Sequence, residues 1–209
     1  MRRERADAAR NRRAILDATE ALLARRRPET ISMELVAAEA GVGKGTVFHR
    51  FGSRMGLMVA LMQERALGLR EAVENGPPPL GPGAPPADRL HAFLDAVVDV
   101  VVRNKNLLAA LGHAESLTPH DHGDLSDHPV YQFWHGHVTT LLAAAAEGNA
   151  GPATAAGGRV VDAETLAHLL LAGLRSGPVV AMIDGGEAER VKRALRFAAS
   201  AVLDGTERR

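Results

Sequence analysis

The stretch Glu39-Ala-Gly-Val-Gly-Lys-Gly-Thr-Val-Phe-His-Arg-Phe51 decides the fold of this chain. Gly41 predicts a sharp turn, because glycine adopts a positive φ without steric cost. Before this turn, Ser32 opens a short amphipathic segment whose inward positions are Val36, Ala37 and Ala40. After it, a second short helix is predicted from about Lys44 to Phe51. Two short helices joined by a glycine turn predict a helix-turn-helix, a motif that can place its second helix in the DNA major groove.

The second helix of this motif has two distinct faces. Val47 and Phe51 are four residues apart and are predicted to pack inward. The opposite face is polar and basic, and we expect it to contact the groove through Lys44, Thr46, His49 and Arg50. Contacts to base edges would specify the sequence, whereas contacts to phosphates would position the protein.

The run from Thr30 to Leu61 resembles the tetracycline-repressor (TetR) family of bacterial regulators. The matching residues are Thr30, Ile31, Val36, Ala37, Ala40, Gly41, Val42, Gly43, Lys44, Gly45, Thr46, Val47, Phe48, Arg50, Phe51, Ser53, Arg54 and Leu57. The match has no gap, but at the level of motifs it covers only the amino-terminal quarter of the chain. The resemblance implies an all-α fold, in which a three-helix DNA-binding domain precedes a helical bundle for ligand binding and dimerisation.

This chain departs from the family pattern at four positions. Gly43 replaces a usual serine and Phe48 a usual tyrosine, while Arg50 and Arg54 stand at usual histidine and lysine positions. Both arginines keep or add positive charge, so we expect DNA binding to survive and the preferred operator to change. The residues expected to bind DNA are Ser32, Met33, Lys44, Gly45, Thr46, Phe48, His49, Arg50 and Arg54. Arg54 and the amino-terminal arginines, between Arg2 and Arg13, are assigned to phosphates.

The segment Gly41-Val-Gly-Lys-Gly-Thr46 also looks like part of a phosphate-binding loop, but it does not satisfy either common pattern. Ala38 occupies the place of the first glycine in G-x-x-x-x-G-K-[ST], and Gly45 follows the lysine. The pattern G-x-G-x-x-G fails as well, and no strand is predicted before the loop. Nucleotide binding is therefore not expected.

Composition narrows the class of protein. The 209 residues include no cysteine, which excludes a disulfide framework and suits a reducing cytoplasm, and no signal peptide or membrane-spanning stretch is evident. The net charge is zero overall, yet residues 1–54 carry +5 and residues 55–209 carry −5. This division of charge is typical of a chain in which only the first part binds nucleic acid. The sequence therefore predicts a cytoplasmic, DNA-binding protein.

The domains are predicted as follows: residues 1–54 form the helix-turn-helix domain, 55–75 a connecting helix, 76–87 a linker and 88–209 the ligand-binding and dimerisation domain. The linker follows from six prolines and three glycines between Asn75 and Pro86. A first helix is predicted from about Ala6 to Arg26, and Ser53 is predicted to cap the connecting helix.

Apolar residues at helical spacing predict the remaining helices. They are expected at about Asp88–Val102, Lys105–Glu115, Pro129–Glu147, Asp162–Ile183 and Glu187–Leu203. Pro178 is expected to kink the fourth of these, and Gly173 and Gly177 to let another helix approach. In the last helix, Val191, Leu195, Ala198 and Val202 are predicted to face inward. The resemblance implies that the last two helices form a homodimer interface.

The second domain offers candidates for a ligand site and none with a catalytic motif. Helical bundles hold small molecules between their helices, and the predicted lining is Phe93, Tyr131, Phe133, Trp134, His137 and Arg175. Ordinary core packing is the competing interpretation for each of these residues. The histidine-rich loop 120–128 suggests a metal site, but a long polar loop lacks the rigid geometry that zinc requires. No metal, cofactor or enzymatic activity is predicted.

The sequence thus predicts a transcriptional regulator resembling the TetR family, usually a repressor. Its expected partners are a double-stranded DNA operator, a small-molecule effector and a second copy of the chain. One alternative is a ligand-independent or architectural DNA-binding protein. Another is an enzyme fused to a helix-turn-helix, which would use the histidine-rich loop.

Overall fold

The computed structural model describes residues 2–110, 129–149 and 162–204, and these residues form helices joined by turns. The helices are α1 (Arg2–Leu23), α2 (Met33–Glu39), α3 (Lys44–Phe51), α4 (Arg54–Asn75), α5 (Pro86–Ala110), α6 (Pro129–Asn149), α7 (Ala163–Gly173), α8 (Gly177–Asp184) and α9 (Ala188–Asp204). A short 3-10 helix, Pro28–Thr30, lies between α1 and α2. The predicted all-α class is confirmed. The histidine-rich loop and the residues beyond Ala110 of the predicted Lys105–Glu115 helix lie outside the described residues.

The chain forms two compact units that divide within α4 and again within α5. The first contains the residues up to Leu67 together with the end of α5 from Arg103, and the second contains Gly68–Val102 and the described residues from Pro129 onward. The Pro/Gly-rich segment, predicted as a linker, therefore lies inside the second unit. It is folded back on itself, because a Cβ on Gly81 would collide with the carbonyl oxygen of Gly76.

The first unit is built around a core to which α1, α2, α3, α4 and the end of α5 contribute. Ile15, Val36, Val47, Leu57 and Leu107 are each at most 2% exposed. The inward positions predicted for the helix-turn-helix are confirmed at Val36, Ala37 and Val47, whereas Ala40 and Phe51 are only partly buried. Burial of these apolar side chains holds the short helices α2 and α3, which are too short to be stable alone.

The second unit has its own core, formed by the end of α4, the first part of α5, and α6 to α9. Leu90, Phe93, Leu94, Val97 and Val98 are fully buried on α5, as their helical spacing predicts. Lys192 of α9 reaches Asp99 of α5 at 2.7 Å, so an ion pair supplements the apolar contacts.

Two helix predictions differ from the structure. The helix predicted to stop near Val102 continues to Ala110 as α5. The helix predicted from Asp162 to Ile183 is two helices, α7 and α8, bent by 49°. Gly173 and Gly177 stand at this break, and Pro178 lies in the first turn of α8, where its missing N–H costs nothing.

Two further details of the helix predictions also differ. Ala198 of α9 was expected inside and is exposed, whereas the neighbouring Ala199 is fully buried. The first helix, predicted from about Ala6 to Arg26, begins at Arg2 and ends at Leu23, so the amino-terminal arginines belong to α1.

No single helix within the described ranges is long and apolar enough to cross a membrane. Among the described helices, the bent pair α7 and α8 reaches that length and apolar content when its two helices are taken together.

Candidate functional site

The helix-turn-helix of the first unit has the local geometry that its sequence predicts. Ser32 caps α2, because its Oγ accepts a hydrogen bond from the Leu35 amide at 3.1 Å. Gly41 has φ +65°, which carries the chain out of α2 and into the turn. The amide of Val42 then donates to the carbonyl of Ala37 at 3.0 Å. Gly43 precedes α3 without a side-chain cap, as expected from its replacement of serine.

The outer face of α3 is exposed and basic. Lys44, Gly45, Phe48, His49 and Arg50 are exposed, and Thr46 is partly buried beside them. Lys44 forms an ion pair with Glu34 of α2, and its Nζ lies 5.5 Å from the centroid of the Phe48 ring. This face therefore presents hydrogen-bond donors and positive charge outside a rigid apolar core, which is the arrangement a groove-reading helix needs.

Two of the residues predicted to bind DNA have structural roles in this unit. Met33 is 4% exposed and belongs to the core, so its side chain is not part of the exposed face. Arg54 is partly buried and its Nη2 donates to the carbonyl oxygen of Pro28, which ties the start of α4 to the 3-10 helix. An Arg54 variant would therefore change the structure of the unit as well as its charge.

A salt-bridge network connects α1 to the other helices of this unit. Arg65 of α4 donates to both carboxylate oxygens of Glu20 at 3.0 and 2.8 Å, and to Asn104 of α5 at 3.1 Å. Arg13 of α1 donates to Glu64 at 2.9 Å. A cavity of about 410 Å³ opens beside Arg65, and its lining is Glu20, Leu23, Ala24, Pro28, Arg65, Arg103 and Leu107.

The second unit brings together three of the six residues predicted to line a ligand site. The ring centroids of Phe93 and His137 are 4.7 Å apart, those of Phe93 and Phe133 are 6.5 Å apart, and the Phe133 and His137 rings are stacked. Arg70 of α4, which no sequence motif marks, lies with its guanidinium carbon 5.1 Å from the centre of the Phe133 ring. These residues form an aromatic cluster between α4, α5 and α6.

Some polar side-chain atoms of α6 are buried and find no partner within the part of the chain that the structure describes. His137 Nε2 and Trp134 Nε1 have no hydrogen-bond partner among the described residues. The pKa of His137 is lowered from 6.5 to about 4, first by burial of its ring and then by the charge of Arg89. A neutral imidazole and an indole N–H could both bond to a ligand, because a buried polar group gains free energy when it finds a partner.

The other predicted ligand residues, Tyr131 and Arg175, lie elsewhere in the second unit. The Tyr131 hydroxyl is 2.7 Å from Nδ1 of His168 on α7. The His168 ring stacks on the His135 ring, and their centroids are 3.8 Å apart. Arg175 is exposed between α7 and α8. The helical period of α6 could have separated Tyr131 from His137, but the pairing with His168 depends on how α6 and α7 pack.

An exposed, basic recognition helix on a helix-turn-helix core defines the class of DNA-binding regulatory proteins. The sequence pattern of the family described as bacterial regulatory proteins, tetR family, matches residues 15–61. Residues 15–61, which include the helix-turn-helix, therefore match the TetR family of bacterial regulators.

Solved structures described as TetR-family regulators resemble this chain over most of its length. A TetR transcriptional regulator from Streptomyces coelicolor is 25% identical, with a TM-score of 0.55, and the match covers 93% of this chain and 97% of that one. A TetR-family regulator from Rhodococcus sp. is 21% identical, with a TM-score of 0.54, covering 93% and 99%. No curated protein sequence matches this chain.

Proposed function

We propose that the protein is a ligand-responsive repressor that binds an operator as a homodimer and is released from it by a small molecule. The single observation that carries this proposal is the exposed basic face of α3, at the end of a capped helix-turn-helix with a closed apolar core. Lys44, Thr46, His49 and Arg50 are the residues assigned to the groove, with Ser32, Gly45 and Phe48 beside them. Arg54 and the arginines of α1 stay assigned to phosphate.

The homodimer part of the proposal rests on the exposed apolar residues of the last helices. Phe197 of α9 is 76% exposed and Leu169 of α7 is 64% exposed. Ala194, Ala198 and Ala201 are also exposed and share the face of Phe197 at helical spacing. Such a stripe of one large and several small apolar side chains suits packing against the same helices of a second copy. Two subunits would then meet half-sites about 34–36 Å apart or a multiple of that distance.

The ligand part of the proposal rests on the aromatic cluster around Phe93 and His137. A compound with an apolar, flat body and a hydrogen-bond acceptor would match its rings, the Trp134 N–H and the neutral imidazole. Helices α4 and α5 have residues in both units, so they are the continuous elements along which a change at this cluster could reach the first unit. Release of DNA requires only that the ligand favour one dimer state over the other.

The proposal is tested by fluorescence anisotropy with DNA that flanks the gene of this protein and with a shuffled duplex, across a salt series. We expect saturable binding to one inverted repeat by two subunits. Arg50→Ala should weaken this binding at least about tenfold and lower the salt slope by about 1, because an exposed groove arginine is lost. Arg175→Ala removes the same charge from an exposed position of the second unit and should have little effect.

Three results would count against the proposal in different ways. If the protein bound no DNA even at low salt, DNA binding itself would be excluded. If it bound both duplexes equally, an architectural role would replace that of a repressor. If it bound the inverted repeat and no compound in a screen of flat apolar molecules released it, the ligand-responsive part would fail.

A further inference from the structure

An ion pair occupies the amino-terminal end of the recognition helix α3. Lys44 Nζ, at the first residue of α3, is bonded to Oε1 of Glu34 on α2, across the turn of the motif. The side chains of Lys44 and Glu34 are 58% and 53% exposed, so the pair lies on the surface. The Phe48 ring, one helical turn along α3, lies 5.5 Å from the same Nζ. The first basic group of the recognition helix is therefore already engaged in the free protein.

Glu34 carries a full negative charge at neutral pH. Its pKa is lowered from 4.5 to about 2, first by the hydrogen bond from Lys44 and then by hydrogen bonds with its own backbone and with Ser32. An ionised carboxylate can only accept hydrogen bonds. Because exposed ion pairs contribute little to folding, stability does not account for an acid at this position. Its main consequence is at the surface that meets DNA, where a carboxylate opposes phosphate.

We propose that Glu34 is a specificity-determining residue of the DNA-binding surface. It holds Lys44 away from the phosphates of unmatched DNA and, together with Lys44, reads one G·C base pair of a matched site. This inference rests on the proposed DNA-binding function and adds to it a residue on α2 that opposes non-specific binding.

The choice of a G·C pair follows from the donor and acceptor positions in the major groove. Guanine presents the acceptors O6 and N7, and cytosine presents the N4 donor next to O6. The Glu34–Lys44 pair offers an ammonium beside a carboxylate, so Lys44 can donate to guanine while Glu34 accepts from cytosine. In an A·T pair the N6 donor of adenine stands between the N7 acceptor of adenine and the O4 acceptor of thymine, so an ammonium finds no two adjacent acceptors there. Phosphates offer only acceptors and leave Glu34 without a partner.

The test compares the wild-type chain with Glu34→Gln and with a matched control, Glu39→Gln. Glu39 is also an exposed acid of α2, but its Oε1 lies 2.7 Å from Nη2 of Arg25, not beside the recognition helix. Each protein is titrated into a short mixed-sequence duplex over a salt series. Glu34→Gln should bind this duplex about fivefold more tightly at low salt. Its salt slope should be steeper by about 0.9, because Lys44 is then free to neutralise a phosphate.

A second readout measures base preference directly. The wild type and Glu34→Gln each select binding sites from a pool of random duplexes. The wild type should select G·C at one position in each half-site. In Glu34→Gln the preference for G·C over the other base pairs should be about tenfold lower at this position and unchanged elsewhere. Glu39→Gln should retain the wild-type selection and the wild-type salt slope.

The outcomes separate this inference from the proposed function on which it rests. If the wild type bound neither the mixed duplex nor any member of the pool, the DNA-binding function would fail. If it bound DNA and Glu34→Gln had the same slope and the same base preference, Glu34 would have no role in specificity. If Glu39→Gln gained as much affinity for the mixed duplex as Glu34→Gln, the gain would result from the loss of negative charge in general. If Glu34→Gln kept the preference for G·C, the proposed base reading would be overturned.

Discussion

The imidazole of His137 is held neutral by its surroundings in the second unit. Burial against the Phe93 ring, 4.7 Å away, penalises the charged form, and the Arg89 charge adds to this effect, so that the pKa of His137 is lowered to about 4. In the unfolded chain a histidine binds a proton near pH 6.5. Between these two values the unfolded state binds more protons than the native state. The stability contributed by a neutral His137 is therefore complete above about pH 6.5, falls as the pH is lowered towards 4, and does not fall further below it.

We expect His137→Phe to remove this part of the acid sensitivity. Between pH 7 and pH 5 the wild type should lose about 1 kcal/mol more of unfolding free energy than the variant, a value that allows for partial exposure of the ring. Urea unfolding at the two pH values measures the difference. Between pH 7 and pH 8 the two proteins should change by equal amounts, because His137 is neutral in both states there. Parallel losses down to pH 5 would show that His137 is protonated in the native state.

At the scale of single residues, the sequence predicts the exposed face of α3 well and its ion pair poorly. Lys44, His49 and Arg50 follow from the period of one short helix, whose inward position is Val47. The contact between Glu34 and Lys44 depends on the angle between two helices, which the turn sets and no local period encodes. For the same reason the period of α6 could separate Tyr131 from His137, but it could not predict that Tyr131 pairs with His168 of α7.

At the scale of helices, Arg65 joins three elements of the first unit. Its side chain is 8% exposed and lies on α4, where it bonds to Glu20 of α1 and to Asn104 of α5. A buried guanidinium whose carboxylate is removed keeps its desolvation penalty and loses its compensating charge. The network therefore makes the position of α1 depend on that of α4 and α5.

Glu20→Ala should lower the free energy of unfolding by about 2 kcal/mol. This is less than the cost of breaking a wholly buried pair, because the Glu20 side chain is 39% exposed. Urea unfolding measures the change. Asp17→Ala on the same helix breaks the 3.4 Å ion pair with Arg13, whose two side chains are 66% and 68% exposed. This variant should therefore lower the free energy of unfolding only slightly. Equal effects of the two variants would show that Arg65 does not need its carboxylate.

Where helices begin and end, tertiary contacts decide what the sequence leaves open. The polar run Arg103-Asn-Lys105 suggests a break after Val102, yet α5 continues because Asn104 bonds to Arg65 and Lys105 is 8% exposed. In the opposite case, apolar residues on both sides of Pro178 suggest one helix, whereas α8 starts anew at Gly177. Proline in the first turn of a helix is favourable, so its position could have predicted a start.

At the scale of the whole molecule, the exposed apolar residues of α7 and α9 form the surface proposed to bind a second copy of the chain. Monomeric proteins rarely expose contiguous apolar patches, and the α9 stripe of Ala194, Phe197, Ala198 and Ala201 repeats at three and four residues. A twofold axis would place such a stripe against its own copy, so that each Phe197 is buried by the partner. The proposed dimer would therefore be linked to DNA binding through the second unit, far along the sequence from α3.

Phe197→Asp should convert the protein from a dimer to a monomer, because each interface would bury a carboxylate without a partner. Light scattering after gel filtration measures the mass of the wild type and the variant at equal concentration. Leu67→Asp is the matched control, since Leu67 is 57% exposed but lies on α4 in the first unit. On an inverted repeat, Phe197→Asp should bind with the affinity of a single half-site, because the second helix-turn-helix is no longer tethered to the first. If Phe197→Asp remained dimeric, the dimer interface would lie on another face. If the wild type were already monomeric, the proposed dimer would be excluded, and two independent subunits would bind the inverted repeat.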